Sequence, residues 1–208
     1  MATKDASMTQ NVEYYFAPNS PWTYLGHQRF ADMARQAGAT IEVLPIDLGR
    51  VFPVSGGLPL AKRAAQRQAY RLVELRRFSQ WLSLPINLQP RFFPVAADAA
   101  ARLIIAVQQH DGTESAMQLT GAVLRAVWAQ ERDIADPATL ATLLSEQGLP
   151  SRRLEDSGGQ PARDRYDANT QRAIDAGVFG APTYLIDGEI FWGQDRLEFV
   201  QRRLGGAA

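Results

Sequence analysis

"GVFGAPTYLIDGEIFWG" (Gly177–Gly193) stands near the C-terminal end of a 208-residue chain, and the fold turns on it. Before it comes a long run of helical periodicity. Within it, "PTYLID" and "EIFWG" flank Asp187-Gly188, a dipeptide that favours a two-residue hairpin turn because both residues tolerate positive φ. These are two antiparallel strands. A proline opens the first of them, and since X-Pro is the one linkage for which cis is common, Ala181-Pro182 is expected to be cis. "DRLEFVQRRL" (Asp195–Leu204) then closes the chain as an amphipathic helix.

Working outward, "VEYYF" (Val12–Phe16) is a short aromatic and β-branched strand, and "APNSP" after it carries turn and cap residues. The helix from Pro21 to about Gln36 has proline in its first turn, Leu25, Phe30 and Met33 on one stripe, and Gly38 just past its end. "TIEVLPIDL" (Thr40–Leu48) alternates as a second strand, so the first part is a βαβ unit with parallel strands. From Gly49 to Gly177 the pattern is helical. A long helix is expected over Leu60–Leu84, with Leu72, Leu75, Phe78 and Leu82 inward. Ala96–Gln109 is apolar nearly all round and reads as a central helix, Thr113–Trp128 is amphipathic, and Asp136 with Pro137 starts a helix ended by Gly148. A loop and a last helix of this block run to Gly177. The order β-α-β, helices, β-β-α is the α/β thioredoxin arrangement with a large helical insertion between its halves. Residues 1–11 read as a flexible tail, 12–48 with 177–205 as the thioredoxin-like part, and 49–176 as the insertion.

Composition narrows the chemistry. With 46% apolar residues the chain builds a substantial core, and Lys plus Arg equal Asp plus Glu at 22 each, so no overall field recruits nucleic acid or an anionic membrane. "RLVELRR" is a mixed-charge helix face. The opening "MATKDASMTQNVE" has no apolar run of the secretory kind, and no stretch of about 18 apolar residues follows, so a cytoplasmic location is expected. Cysteine is absent. Any sulfur the chemistry uses must come with a ligand. His27 and His110 have no partner at metal-binding spacing and receive no role, and the two "SGG" stretches at Ser55 and Ser157 read as plain turns.

Ser20-Pro21-Trp22-Thr23 occupies the place where a thioredoxin-type fold presents its Cys-x-x-Cys motif, with Ser20 at the first cysteine position and Thr23 at the second. A helix N-terminus gathers unpaired N–H groups and the positive end of the helix dipole, and so favours an anion. Taken alone, Asn19 or Ser20 also reads as an ordinary helix cap. The proline of "GAPT", opposite this helix in such a fold, favours the active-site reading.

"YYFAPNSPWTYLGHQRF", "PIDLGRVF" and above all "AGVFGAPTYLIDGEIFWGQDRLEFV" resemble the 2-hydroxychromene-2-carboxylate isomerase family, relatives of kappa-class glutathione transferases and DsbA-like thioredoxin-fold proteins. The resemblance implies a homodimeric, glutathione-dependent isomerase of aromatic catabolism that converts 2-hydroxychromene-2-carboxylate, or a related aromatic substrate, into its trans ring-opened isomer. It implies that Ser20 is catalytic, donating a hydrogen bond to the glutathione sulfur, that Ala181 before Pro182 pairs its backbone with the cysteinyl part, and that Trp192, Gly193, Gln194 and Asp195 receive the γ-glutamyl end. Asp195 also reads as a simple helix cap.

The substrate side departs from the family pattern. A lysine after the second strand is replaced by Phe52, an asparagine after the Phe-Pro motif by Ala96, and an Asn-containing loop by "GGLPLAKR". Lys62 with Arg63 restores positive charge, or belongs to a solvated helix face. Trp22, Tyr24 and Phe52 form an aromatic lining beside Ser20, or pack in the core. A kappa-like transferase that releases a conjugate, and a non-catalytic thioredoxin-fold binding protein, are the alternatives to an isomerase.

Overall fold

The computed structural model describes residues 10–205. The expected tail lies almost wholly outside the described residues, but its last residue, Asn11, already belongs to the first strand. Four strands, β1 (Asn11–Phe16), β2 (Thr40–Pro45), β3 (Thr183–Ile186) and β4 (Glu189–Trp192), form one mixed sheet in the order β2-β1-β3-β4. β1 and β2 are parallel, with α1 (Pro21–Ala37) as the crossover; β1–β3 and β3–β4 are antiparallel. Asp187 and Gly188 both take positive φ, 50° and 81°, which is what the tight hairpin needs.

α1 starts and stops where its residues dictate. Ser20 is its N-cap, Pro21 its first residue, and Gly38 ends it at φ 65° with its N–H turned back onto the Ala34 and Arg35 carbonyls. β2, expected to reach Leu48, stops at Pro45 because Asp47 caps a new helix, α2 (Leu48–Ser55), accepting the Gly49 N–H at 2.7 Å. A cap that satisfies a helix-start donor outweighs alternation over three residues. The helix expected from Leu60 is divided. A 3₁₀ turn at Leu60–Lys62 is followed by extended backbone at Arg63, and only then does α3 (Ala65–Leu82) begin, burying Leu75.

The remaining helices are α4 (Asp98–Asp111), α5 (Thr113–Trp128), α6 (Pro137–Glu146), α7 (Arg153–Gly158), α8 (Gln160–Asp175) and α9 (Leu197–Arg203). α5 is buried over most of its circumference, where an amphipathic helix was expected, because α1, α4, α6 and β2 all pack on it. α7 ends at Ser157-Gly158, where the sequence predicts a plain turn, with Gly159 as its C-cap. The closing helix starts later than Asp195, since Gln194–Arg196 form a 3₁₀ turn.

Helices cover both faces of the sheet. On one face Tyr14, Phe16, Phe30 and Tyr184 share a core with Leu103, Ile104, Leu124 and Trp128, so the inserted helices have no core separate from the sheet. The Tyr14 ring is 4.8 Å from Phe30 and 5.4 Å from Tyr184. On the other face Tyr15, Leu44, Ile46 and Leu185 pack with Val51 and Ala173 of α2 and α8. Tyr14 and Tyr15 point to opposite faces, as neighbours on a strand must.

Candidate active site

β1 ends at Phe16 and the chain enters α1 through Ala17-Pro18-Asn19-Ser20. Tyr15 pairs with Thr183, and Thr183 with Trp192. The entry loop, the Ala181-Pro182 peptide and Trp192-Gly193 therefore meet at one end of the sheet from three distant parts of the chain.

Ser20 is 7% exposed. Its Oγ accepts the Thr23 N–H at 3.3 Å and its carbonyl the Tyr24 N–H at 3.0 Å, while its own N–H donates to the Ala17 carbonyl at 3.0 Å. The hydroxyl proton has no acceptor among the described residues. Pro21 has no N–H, which leaves the Trp22 N–H as the first-turn donor without a partner among them. One hydroxyl proton and one amide, at the positive end of a 17-residue helix, are what this corner offers an anion. Thr23, at the second motif position, is fully buried and its hydroxyl lacks a partner.

Across from it, Ala181-Pro182 is cis, as expected; Phe93-Pro94 is cis as well. The Pro182 carbonyl accepts the Gly193 N–H at 2.9 Å and the Gly180 carbonyl accepts Thr183 Oγ1 at 2.8 Å. Between them the N–H and C=O of Ala181 have no partner among the described residues. A backbone pair left open in this way suits an extended peptide-like ligand.

The "WGQDR" residues diverge in their placement. Trp192 is half exposed, its ring centroid 4.9 Å from that of Phe179. Gly193 sits at φ 101°, a conformation that only glycine adopts readily, and this turns its N–H back to Pro182. The Gln194 side chain points into the protein: it is 1% exposed, its Oε1 accepts Arg29 Nη1 at 3.0 Å, and its carbonyl accepts the same nitrogen at 3.3 Å, which leaves only its backbone N–H to offer a ligand. It is turned inward because α1 passes so closely that a Cβ on Gly26 would lie 2.8 Å from the Gln194 Cβ. Asp195 is exposed and pairs with Arg196 at 2.7 Å, and no side chain caps the 3₁₀ turn.

Among the described residues no ring contact joins Trp22, Tyr24 and Phe52. Trp22 stands edge-on to Phe78 with centroids 6.2 Å apart, and Tyr24 is core, its hydroxyl donating to the Pro85 carbonyl at 2.6 Å. Phe52 packs on Gly57 and under the Arg63 guanidinium, 6.0 Å away, while Lys62 is exposed at the end of its 3₁₀ turn. Neither lines the cavity described next.

Beside the entry loop lies a cavity of about 180 Å³, walled by Asn19, Asp47, Asp98 and Tyr166 among smaller residues that include Ala96. Asn19 Nδ2 donates to the Val95 carbonyl at 2.8 Å and so ties the loop before α4 to the Ser20 corner. Asn19 was legible only as a cap, and nothing in the sequence links positions 19, 47, 98 and 166. His27, given no role from the sequence, is 4% exposed and bridges the Tyr14 hydroxyl (3.2 Å, at Nδ1) and the Met117 carbonyl (2.9 Å, at Nε2). Burial lowers its pKa from 6.5 to about 4, which keeps it neutral: Nε2–H donates to the carbonyl and Nδ1 accepts from the tyrosine.

A family model described as the DSBA-like thioredoxin domain matches residues 11–205. A 2-hydroxychromene-2-carboxylate isomerase from Pseudomonas putida is 32% identical over 93% of this chain and 94% of its own length. The solved structure of a 2-hydroxychromene-2-carboxylate isomerase superposes with a TM-score of 0.78 at 28% identity, covering 94% of each chain. The cytosolic disulfide reductase DsbM from Pseudomonas aeruginosa, solved with GSH, shares the fold at a TM-score of 0.67 and 18% identity, over 94% of this chain and 99% of that one. The chain belongs to the DSBA-like thioredoxin-domain family and, within it, to the 2-hydroxychromene-2-carboxylate isomerases.

Proposed function

We propose that this isomerase works with glutathione and acts on 2-hydroxychromene-2-carboxylate or a related aromatic substrate. Bound glutathione supplies a thiolate able to add reversibly to a conjugated double bond and be returned unchanged, which relaxes that bond to a freely rotating one. The chain's own residues hold and polarise. Ser20 donates its hydroxyl proton to the sulfur, the Trp22 N–H and the α1 dipole favour the charged form, and Ala181 pairs its N–H and C=O with the cysteinyl backbone. The exposed Trp192 and Asp195 face the γ-glutamyl end, Asp195 meeting its ammonium in place of Arg196.

The observation that carries this is the uncommitted Ser20 proton at a helix N-terminus opposite the open Ala181 backbone, in a chain with no cysteine. A free thiol has a pKa near ~8.5, and each unit of lowering is about 1.4 kcal/mol of preference for the anion, so one hydroxyl bond and a helix terminus suffice to populate it at neutral pH. The DsbM structure solved with GSH agrees with a fold that accommodates this ligand. The decisive experiment follows the absorbance of 2-hydroxychromene-2-carboxylate with purified protein, with and without glutathione. Conversion that depends on glutathione, with no glutathione consumed, is the expected result; equal rates in both conditions would refute it.

A further inference from the structure

We propose that Arg71, on α3, receives the carboxylate of the aromatic substrate at the Ser20 corner, with Arg63 adding positive charge. Arg71 is half-buried, and its Nη2 is buried without a hydrogen-bond partner. No carboxylate pairs with it among the described residues: Glu74, the one acidic side chain of α3, is held by Arg77 at 2.6 Å. Arg63 has no ion pair among them either, and its Nε donates to the Leu58 carbonyl at 2.8 Å. A guanidinium presents a flat fork of N–H donors that matches a carboxylate. An unpaired one, partly shielded from water, attracts that anion more strongly than a fully solvated one does.

Packing fixes the fork. Its Cζ lies 5.3 Å from the centroid of the Phe93 ring and 5.6 Å from that of Trp128, and such stacking restrains a long side chain. Trp128 Nε1 is itself buried and lacks an acceptor. Two connections run from this place to the thiol corner. Phe93 belongs to the loop whose Val95 carbonyl accepts Asn19 Nδ2, next to Ser20. Phe78, seven residues after Arg71 and so on the same face of α3, meets Trp22 of the Ser20 motif. Seven residues span about 10 Å of helix, comparable with the length of a two-ring carboxylate. Burial, with the Arg63 charge adding to it, lowers the Arg71 pKa to about 10, which leaves the group charged at neutral pH.

Arg71 as a substrate group rests on the isomerase reading above, whereas its binding of an aromatic carboxylate does not. The test titrates chromone-2-carboxylate and its neutral carboxamide against the full chain by NMR without glutathione, then measures turnover of 2-hydroxychromene-2-carboxylate with it. The acid is expected to bind at least about tenfold more tightly than the amide, and Arg71→Met to abolish that preference. In turnover Arg71→Met should raise KM about ten- to a hundredfold, with kcat within about threefold and glutathione affinity by calorimetry unchanged. Should Arg71→Met not fold, Arg71→Lys decides: it keeps the charge, loses the fork, and should weaken the acid about three- to tenfold while sparing the amide. Equal binding of acid and amide to the wild type, or variants that weaken both alike or neither, overturns the proposal. Turnover that needs glutathione but whose KM is unmoved by Arg71→Met removes the Arg71 proposal alone; a preference for the acid that depends on Arg71, with turnover indifferent to glutathione, removes the thiol reading alone.

Discussion

Ser20 offers two functions with one oxygen, because its lone pair accepts the Thr23 N–H while its proton finds no acceptor among the described residues. Ser20→Ala removes both. A hydrogen bond to a charged partner contributes about 1.5–3 kcal/mol, so the turnover that depends on glutathione should fall roughly ten- to a hundredfold. The loss of the donor raises the bound thiol's pKa, and the pH-rate profile should move to the alkaline side; an unmoved profile would assign the serine to capping alone. His27 gives a second measurable effect. Its folded pKa of about 4 lies below the ordinary 6.5, so below pH 6.5 the unfolded chain binds the proton that the folded chain refuses. Stability is fully present above that value and is lost as pH falls towards 4, at up to about 1.4 kcal/mol per pH unit. Chemical denaturation between pH 7.5 and 4.5 should show this slope, and His27→Gln, though less stable at every pH, should flatten it.

At the scale of elements, α1 is the piece that couples the two ends of the chain to the site. Its N-terminus holds Ser20, and one turn and a half further on Gly26 lets Gln194 and Tyr184 approach, a Cβ there lying 3.2 Å from the Tyr184 hydroxyl. Gly26→Ala improves helix propensity by about 1 kcal/mol in isolation, yet overpacking against backbone-near atoms costs about 1–3 kcal/mol and should prevail. A lower Tm together with weaker glutathione binding is the expected outcome, since the displaced segment carries Trp192 to Asp195. A higher Tm would mean that this helix and segment 193–196 are not in tight contact.

For the whole molecule, the core decides cooperativity. Residues from β1, β3 and α1 share one apolar cluster with α4, α5 and α6, so the inserted helices and the sheet should unfold together. In a variant that keeps Trp128, fully buried in that cluster, as its one tryptophan (Trp22, Trp81 and Trp192 replaced by Phe), far-UV circular dichroism and tryptophan fluorescence should give coincident transitions. Leu124→Ala, a deletion at a 0% exposed position, should move both by the same about 2–5 kcal/mol. Separate transitions would show that the insertion folds as a unit of its own.

Much of this was legible from local chemistry. Alternating strands, Asp187-Gly188, Pro21 and Gly38 each act within a few residues, and that range is enough to establish the βαβ start, the hairpin and the DSBA-like order of elements. Ser20 was legible as a cap because capping is local, and as a site only through its match to a distant proline. The rest depended on packing between segments far apart in the chain. Asp47 ended β2 early, the Gln194 side chain turned inward because Gly26 leaves room for it, and α5 lost its solvent face to three neighbouring helices. The cavity of Asn19, Asp47, Asp98 and Tyr166 is the extreme case. Its walls come from four separate segments, and no periodicity, cap or turn encodes a space that exists only where their surfaces fail to meet.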